Sequence, residues 1–274
     1  MKKLYISAFL TLALSAALLS SCSYNPGPNV LPADTTHNSK LTIKQDFKAR
    51  YDIYVVDTSK NGNNADIISP DSVKKNIEQI VIDTTRSLTD KNGITKNHVA
   101  VVITYINPQG SPQDTGYFYQ DPNGDLYRYN FGFSILNQYT FLTQNIGHNI
   151  DVGWVLVAKL SAAAGTTWIA KSDTEQIQSP QINVFLKSVA TMKADTNIVV
   201  GTETFKARHV QHVISAATPT GLGIDETGQV IIDSYMSADL GAVLIDFFRH
   251  STLQGKLANS QTQGKFKIMT SYQK

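Results

Sequence analysis

Cysteine is nearly absent from this chain: Cys22 is the single one in 274 residues. A disulfide framework and a cysteine-based zinc site are therefore excluded, and the fold must be held by its core alone. Charge is scarce too, at 17% of residues against 42% apolar ones. That balance belongs to a folded globular chain and not to a disordered one. No run of basic residues occurs, so the electrostatic footprint of a nucleic-acid binder is missing. Beyond residue 21 no apolar stretch approaches the roughly 20 residues of a spanning helix.

What is present begins with an address. Lys2 and Lys3 form a positive start, residues 4–19 are apolar apart from scattered Ser and Thr, and Leu19-Ser20-Ser21-Cys22 closes the stretch with small residues. That order predicts a secretory signal over residues 1–21. Leu19-Ser20-Ser21-Cys22 resembles the lipobox of bacterial lipoproteins, which implies cleavage between Ser21 and Cys22 and acylation of Cys22. The alternative is an ordinary secretory signal followed by a chance cysteine. Acyl chains are worth about 0.8 kcal/mol per buried CH₂, so a multiply acylated Cys22 would anchor the protein stably to a membrane. Removing Lys2 and Lys3 from the 24 basic residues leaves 22 against 22 acidic ones, a neutral mature chain. Ser23 resembles the residue that sorts lipoproteins to the outer membrane. The expected location is the cell envelope, lipid-anchored, at the outer membrane.

Residues 22–40, with Pro26, Gly27, Pro28 and Pro32, have too little apolar content to pack and read as a flexible tether. A single β-rich domain is expected over 41–274. Leu41, Ile43, Phe47, Ala49, Tyr51, Ile53 and Val55 alternate with polar residues, which predicts one long half-buried strand from Leu41. Residues 59–66 read as a polar loop. Residues 73–88 fit a helical stripe, yet their β-branched density favours a strand. Residues 182–192 read as a strand, with helix the alternative. Tyr117 to Phe131 reads as a hairpin about Asp121-Pro122-Asn123-Gly124. Residues 133–150 are expected to hold a helical turn or a cap. The apolar phase shifts between Phe205-Ala207 and Val210-Ile214, which predicts a bulge near His209. Roughly a dozen strands with few helices predict a mainly β fold, a curled antiparallel sheet or half-barrel.

Four further stretches form a series: Gly165 to Trp168, Val200 to Ala207, Asp233 to Ser237 and Leu240 to Val243. It resembles uncharacterised envelope lipoproteins of Bacteroidetes-like bacteria, some of which look like the LolA/LolB half-barrel. The resemblance spans about 100 residues and brings no catalytic residue with it. It implies a curved sheet over an apolar hollow that binds acyl chains or other lipoproteins.

No motif fixes a chemistry. His209 and His212 lie three apart, which on a regular strand puts them on opposite faces, unable to share a metal. Asp121, Asn123 and Asp125 have calcium-loop spacing, but Leu126 stands where that loop needs glycine, and a hairpin turn explains them. Ser72 and Lys75 make an S-x-x-K without its usual partner motifs. Asp225, Glu226, Asp233, Asp239 and Asp246 could supply a carboxylate pair, although Asp225 to Gly228 reads more simply as a turn. Gly221-Leu222-Gly223 lacks the third glycine and following helix of a dinucleotide site. No metal, no cofactor and no catalytic residue is expected.

The hairpin carries Tyr117, Tyr119, Tyr127, Tyr129 and Phe131 as a candidate binding face. The expected role is non-catalytic: binding an apolar ligand or an envelope protein, with the membrane engaged through the N-terminal lipid. Two alternatives stand beside it, a structural or assembly lipoprotein and a cell-wall or glycan hydrolase.

Overall fold

Two turns of the same sequence, Asp-x-Asn-Gly, set the style of the architecture. In the computed structural model, Asp90 Oδ1 accepts from the backbone N–H of Asn92 (2.9 Å) and Ile94 (2.8 Å). Asp121 Oδ1 accepts from those of Asn123 and Asp125, both at 2.9 Å. In each turn the glycine, Gly93 or Gly124, takes a positive φ (78° and 92°) that an L side chain would resist. Each connects two antiparallel strands.

The structure describes residues 30–32, 41, 43–57, 66–67, 74–106, 110–133, 151–178, 181–218, 226–254 and 263–273. Their regular structure is strand, save for helical geometry at Phe133. The strands are β1 (Val30–Pro32), β2 (Lys48–Asp57), β3 (Asp66–Ile67), β4 (Lys74–Thr89), β5 (Thr95–Tyr105), β6 (Asp114–Gln120), β7 (Asp125–Tyr129) and β8 (Trp154–Lys159). They continue with β9 (Thr167–Gln178), β10 (Gln181–Met192), β11 (Thr196–Val200), β12 (Glu203–Thr218), β13 (Glu226–Ser237), β14 (Ala242–Gln254) and β15 (Gln263–Gln273). Among the described residues no helix is long and apolar enough to cross a membrane.

All ladders are antiparallel. The strands follow one another around a circuit in chain order, and β15 pairs with β2 to bring the two ends of the domain together. β10 and β11 lie end to end along the same edge of β12, with Met192 opposite Val210 and Thr196 opposite Ala207. Three residues, 193–195, thus oppose two, 208–209. That is the bulge expected near His209, with the extra residue on the facing segment. β12 itself runs unbroken while its buried side switches from Phe205 and Ala207 to Arg208, Val210 and His212.

The sheet curls into a nearly closed barrel, further round than a half-barrel. One junction, β8 against β9, has no ladder. Side chains hold β8 there instead: Trp168 Nε1 of β9 donates to the Leu156 carbonyl at 3.0 Å, and beside it His212 Nε2 of β12 donates to the Val157 carbonyl at 2.8 Å. Buried carbonyls of β8 are thereby satisfied without a neighbouring strand. Two apolar cores fill the interior. One holds Leu126, Phe133, Val155, Leu186, Ile214 and Ile232. The other holds Phe47, Tyr51, Val102, Ile198, Phe205 and Leu244. Ile43 and Phe118 pack against both.

Several expectations need correction. The first long strand begins at Lys48 and not at Leu41, because Asp46 adopts φ 64° and breaks the extended run. Val30–Pro32, within the expected tether, pairs with the edge of β11. Glu226 to Gly228 open β13 instead of forming a turn. Both ambiguous stretches, 73–88 and 182–192, are strand where described. The expected loop at 59–66, apart from Asp66, and the expected cap over 134–150 lie outside the described residues.

Candidate functional site

Between the two cores the barrel leaves a hollow. Leu41, Ile43, Val81, Val102, Phe118 and Leu126 supply apolar wall, and Tyr51, Gln79, Arg128, Asp246 and Lys267 supply polar groups. Counted together with the open solvent at its mouth, the hollow measures about 550 Å³. It has room for a few waters at about 10–15 Å³ each. Leu41 and Ile43 belong to the segment that enters β2, so the chain crosses this wall just after the expected tether.

The polar groups form one cluster. Asp246 Oδ1 accepts from Ser234 Oγ at 2.6 Å. Its Oδ2 faces Arg128 Nη1 at 3.4 Å and Lys267 Nζ at 3.8 Å. Lys267 also donates to Gln79 Oε1 (3.3 Å), and Gln79 donates to Thr104 Oγ1 (3.0 Å). The Lys267 ammonium lies 4.3 Å from the centre of the Tyr51 ring, and the Arg128 guanidinium lies over Phe118 and Phe131 at 4.7 and 4.6 Å. Tyr51 donates its hydroxyl proton to the Val243 carbonyl at 2.9 Å.

Electrostatics follow from burial. Burial disfavours the Asp246 anion, but the charges of Arg128 and Lys267 and the Ser234 bond win and hold its carboxyl below the usual range. Burial pushes Lys267 down to about 8, with Asp246 opposing and Arg128 adding to the fall. Burial raises the Tyr51 hydroxyl, so it stays neutral. Two cations thus face one anion inside an apolar wall.

The candidate aromatic face is also partly assembled. Tyr117 meets Tyr129 edge-on at 6.1 Å, Tyr119 meets Tyr127 at 5.9 Å, and Trp154 sits against Tyr129 at 5.4 Å. Lys96 lies over Tyr119 and Tyr127 at 4.7 and 4.1 Å. Burial and the nearby Asp151 carboxylate, which accepts the Tyr129 proton, push that hydroxyl up to about 12. Phe131 does not belong to this face. It is 5% exposed and meets His212 edge-on at 5.0 Å. Asn130, at φ 53°, breaks the strand's alternation just before it.

The remaining candidates separate. His212 is buried, accepts from Ser188 at Nδ1 (3.2 Å), and has its pKa lowered to about 4 by burial. His209 stacks on Tyr235 at 4.2 Å and pairs with Asp233 at 2.7 Å. Among the described residues no group of three His, Cys, Asp or Glu is placed to hold a metal ion. Asp233 and Asp246 are not a pair: Asp246 lies opposite Ser234 in the ladder, and Asp233 is the adjacent residue on the other face. Asp239 is exposed in the turn between β13 and β14. Ser21, Cys22, Ser72, Gly221 to Gly223 and Asp225 lie outside the described residues.

The sequence reading missed Arg128 and Lys267, and it named Asp246 only as a possible member of a carboxylate pair. Some signal was there: Arg128 shares the inward face of Leu126, and Asp246 interrupts the apolar run from Ala242 to Phe248.

Compared with family models and with curated proteins, the chain matches none.

Proposed function

We propose that this chain is a membrane-anchored envelope lipoprotein with a non-catalytic binding role, taking an apolar ligand into the hollow of its barrel. The observation that carries the reading is the hollow. Protein interiors pack to crystal-like density, yet here two well-filled cores meet at Ile43 and Phe118 and leave space lined mainly by apolar side chains. Apolar walls with a few convergent polar groups are the usual form of a small-molecule site. The lipobox-like Leu19-Ser20-Ser21-Cys22 supports the anchor.

Plugging the hollow tests this. Ala242 lines it and is half-buried, so Ala242→Phe adds bulk there. The wild-type chain is expected to take up a neutral fluorescent alkyl probe and the variant to lose that uptake while melting normally. Equal uptake by both would overturn the reading.

A second reading rests on the tyrosine face: Tyr117, Tyr119, Tyr127 and Tyr129 are half-buried on β6 and β7, and such a face suits a protein partner in an assembly role. It stands second because Lys96 and Trp154 already cover part of it.

A further inference from the structure

Among the described residues, the charge lining the hollow does not balance. Arg128 and Lys267 share one oxygen of Asp246 at 3.4 and 3.8 Å, both longer than a close ion pair, while its other oxygen is held by Ser234 at 2.6 Å. Tyr51 gives its proton to a backbone carbonyl and adds no charge. His212 is neutral, and Asp114, which acts on Lys267 through space, is exposed. Two cations therefore face one anion with only 23% and 14% of the Arg128 and Lys267 side chains exposed, and charges so sheltered call for a counter-charge.

We propose that the hollow binds an amphipathic monocarboxylate, its head facing Arg128 and Lys267 and its chain lying along Val81, Val102 and Phe118. The proposal rests on the reading of the hollow as a ligand site. Three features fit it. The hollow has room for a carboxylate head in place of a few waters. The rings of Phe118 and Phe131 flank the guanidinium at 4.7 and 4.6 Å, fixing its plane, and arginine's planar fork matches a carboxylate. Most of the wall is apolar, as an alkyl chain requires. A free inorganic anion would gain the charges but waste that wall.

The test uses the full chain in phosphatidylcholine nanodiscs, titrated at pH 7 with octanoate and with octanol, against empty discs. Octanoate is expected to bind at least about ten-fold more tightly than octanol. Lys267→Met, which keeps the stem and removes the charge, is expected to bring the two affinities within about three-fold. Arg128→Gln serves as a second variant, and Lys267→Met decides the matter alone if Arg128→Gln fails to fold. Octanol binding as tightly as octanoate would leave the ligand hollow standing and overturn the carboxylate proposal. A preference for octanoate that survives Lys267→Met in full would overturn it too. Binding of neither probe would overturn both this proposal and the reading beneath it.

Discussion

His212 donates from Nε2 to the carbonyl of Val157 at 2.8 Å, tying β12 to β8 beside the circuit's unpaired junction. Its other nitrogen accepts from Ser188 at 3.2 Å, which fixes the neutral tautomer. The ring is fully buried and touches Phe131. A sequence reading places this residue as a polar strand histidine; in the fold it is a closing bond of the barrel.

Acid should destabilise the barrel at this ring, because protonation puts a charge where burial disfavours it. Burial lowers the His212 pKa to about 4 from its ordinary 6.5; Arg128 lowers it as well, while the Val157 bond, Asp246 and Asp233 raise it. Between these two values the unfolded chain binds the proton and the folded chain does not. Stability therefore falls as pH drops through that window, by about 3 kcal/mol in total. Urea unfolding at pH 7 and pH 4 measures the loss. His212→Gln is expected to lose markedly less over the same range, and an equal loss would show that another group carries the effect.

Gly132 is held at φ 75° with no room for a side chain. A Cβ there would come within 2.2 Å of Ile214 Cδ1 and 2.9 Å of Ile232 Cδ1. Gly132→Ala is expected to cost about 3 kcal/mol, strain plus overpacking. Gly93 has φ 78° but open space around it, so Gly93→Ala should cost about 1–2 kcal/mol of strain alone. Denaturant midpoints for the two variants give the difference directly; equal costs would refute the packing argument.

The two Asp-x-Asn-Gly turns make a matched pair. Asp90 and Asp121 accept the same two backbone bonds, but Asp90 is buried and also faces the Trp154 N–H at 3.5 Å. Asp121→Ala should cost about 1 kcal/mol and Asp90→Ala about 2–3 kcal/mol, because the second also strips a partner from the buried backbone N–H of Trp154. Thermal melts rank them, and the reverse order would contradict this account of the β4–β5 corner.

Cys22→Ala tests the anchor. The variant is expected to accumulate as an unprocessed precursor without acyl label. Unchanged processing, membrane retention and labelling would remove the lipoprotein proposal while leaving the barrel untouched.

Much of the architecture was legible because alternation survives folding. β10 alternates as its apolar spacing suggests, with Val184, Leu186 and Ala190 buried and Asn183, Phe185 and Lys187 exposed. The phase shift near His209 was legible for the same reason. What alternation does not reveal is which partner a sheltered charge meets. Lys267 shares the face of the buried Met269, two residues on, yet its pairing with Asp246 across the ladder leaves no mark in the sequence. Phe131 was misread for a different reason, because the positive φ of Asn130 breaks the alternation just before it. The closure at β8 and β9 was hidden as well, since its bonds come from side chains and leave no ladder pattern.

The central claim is that the hollow between the two cores holds a ligand. Native mass spectrometry of the full chain, taken straight from expression in mild detergent and stripped in the gas phase, tests it most directly. The account predicts an added non-covalent mass beyond the N-terminal acyl chains, extractable into organic solvent and missing from Ala242→Phe. A bare protein mass for a wild-type chain that melts normally would contradict it.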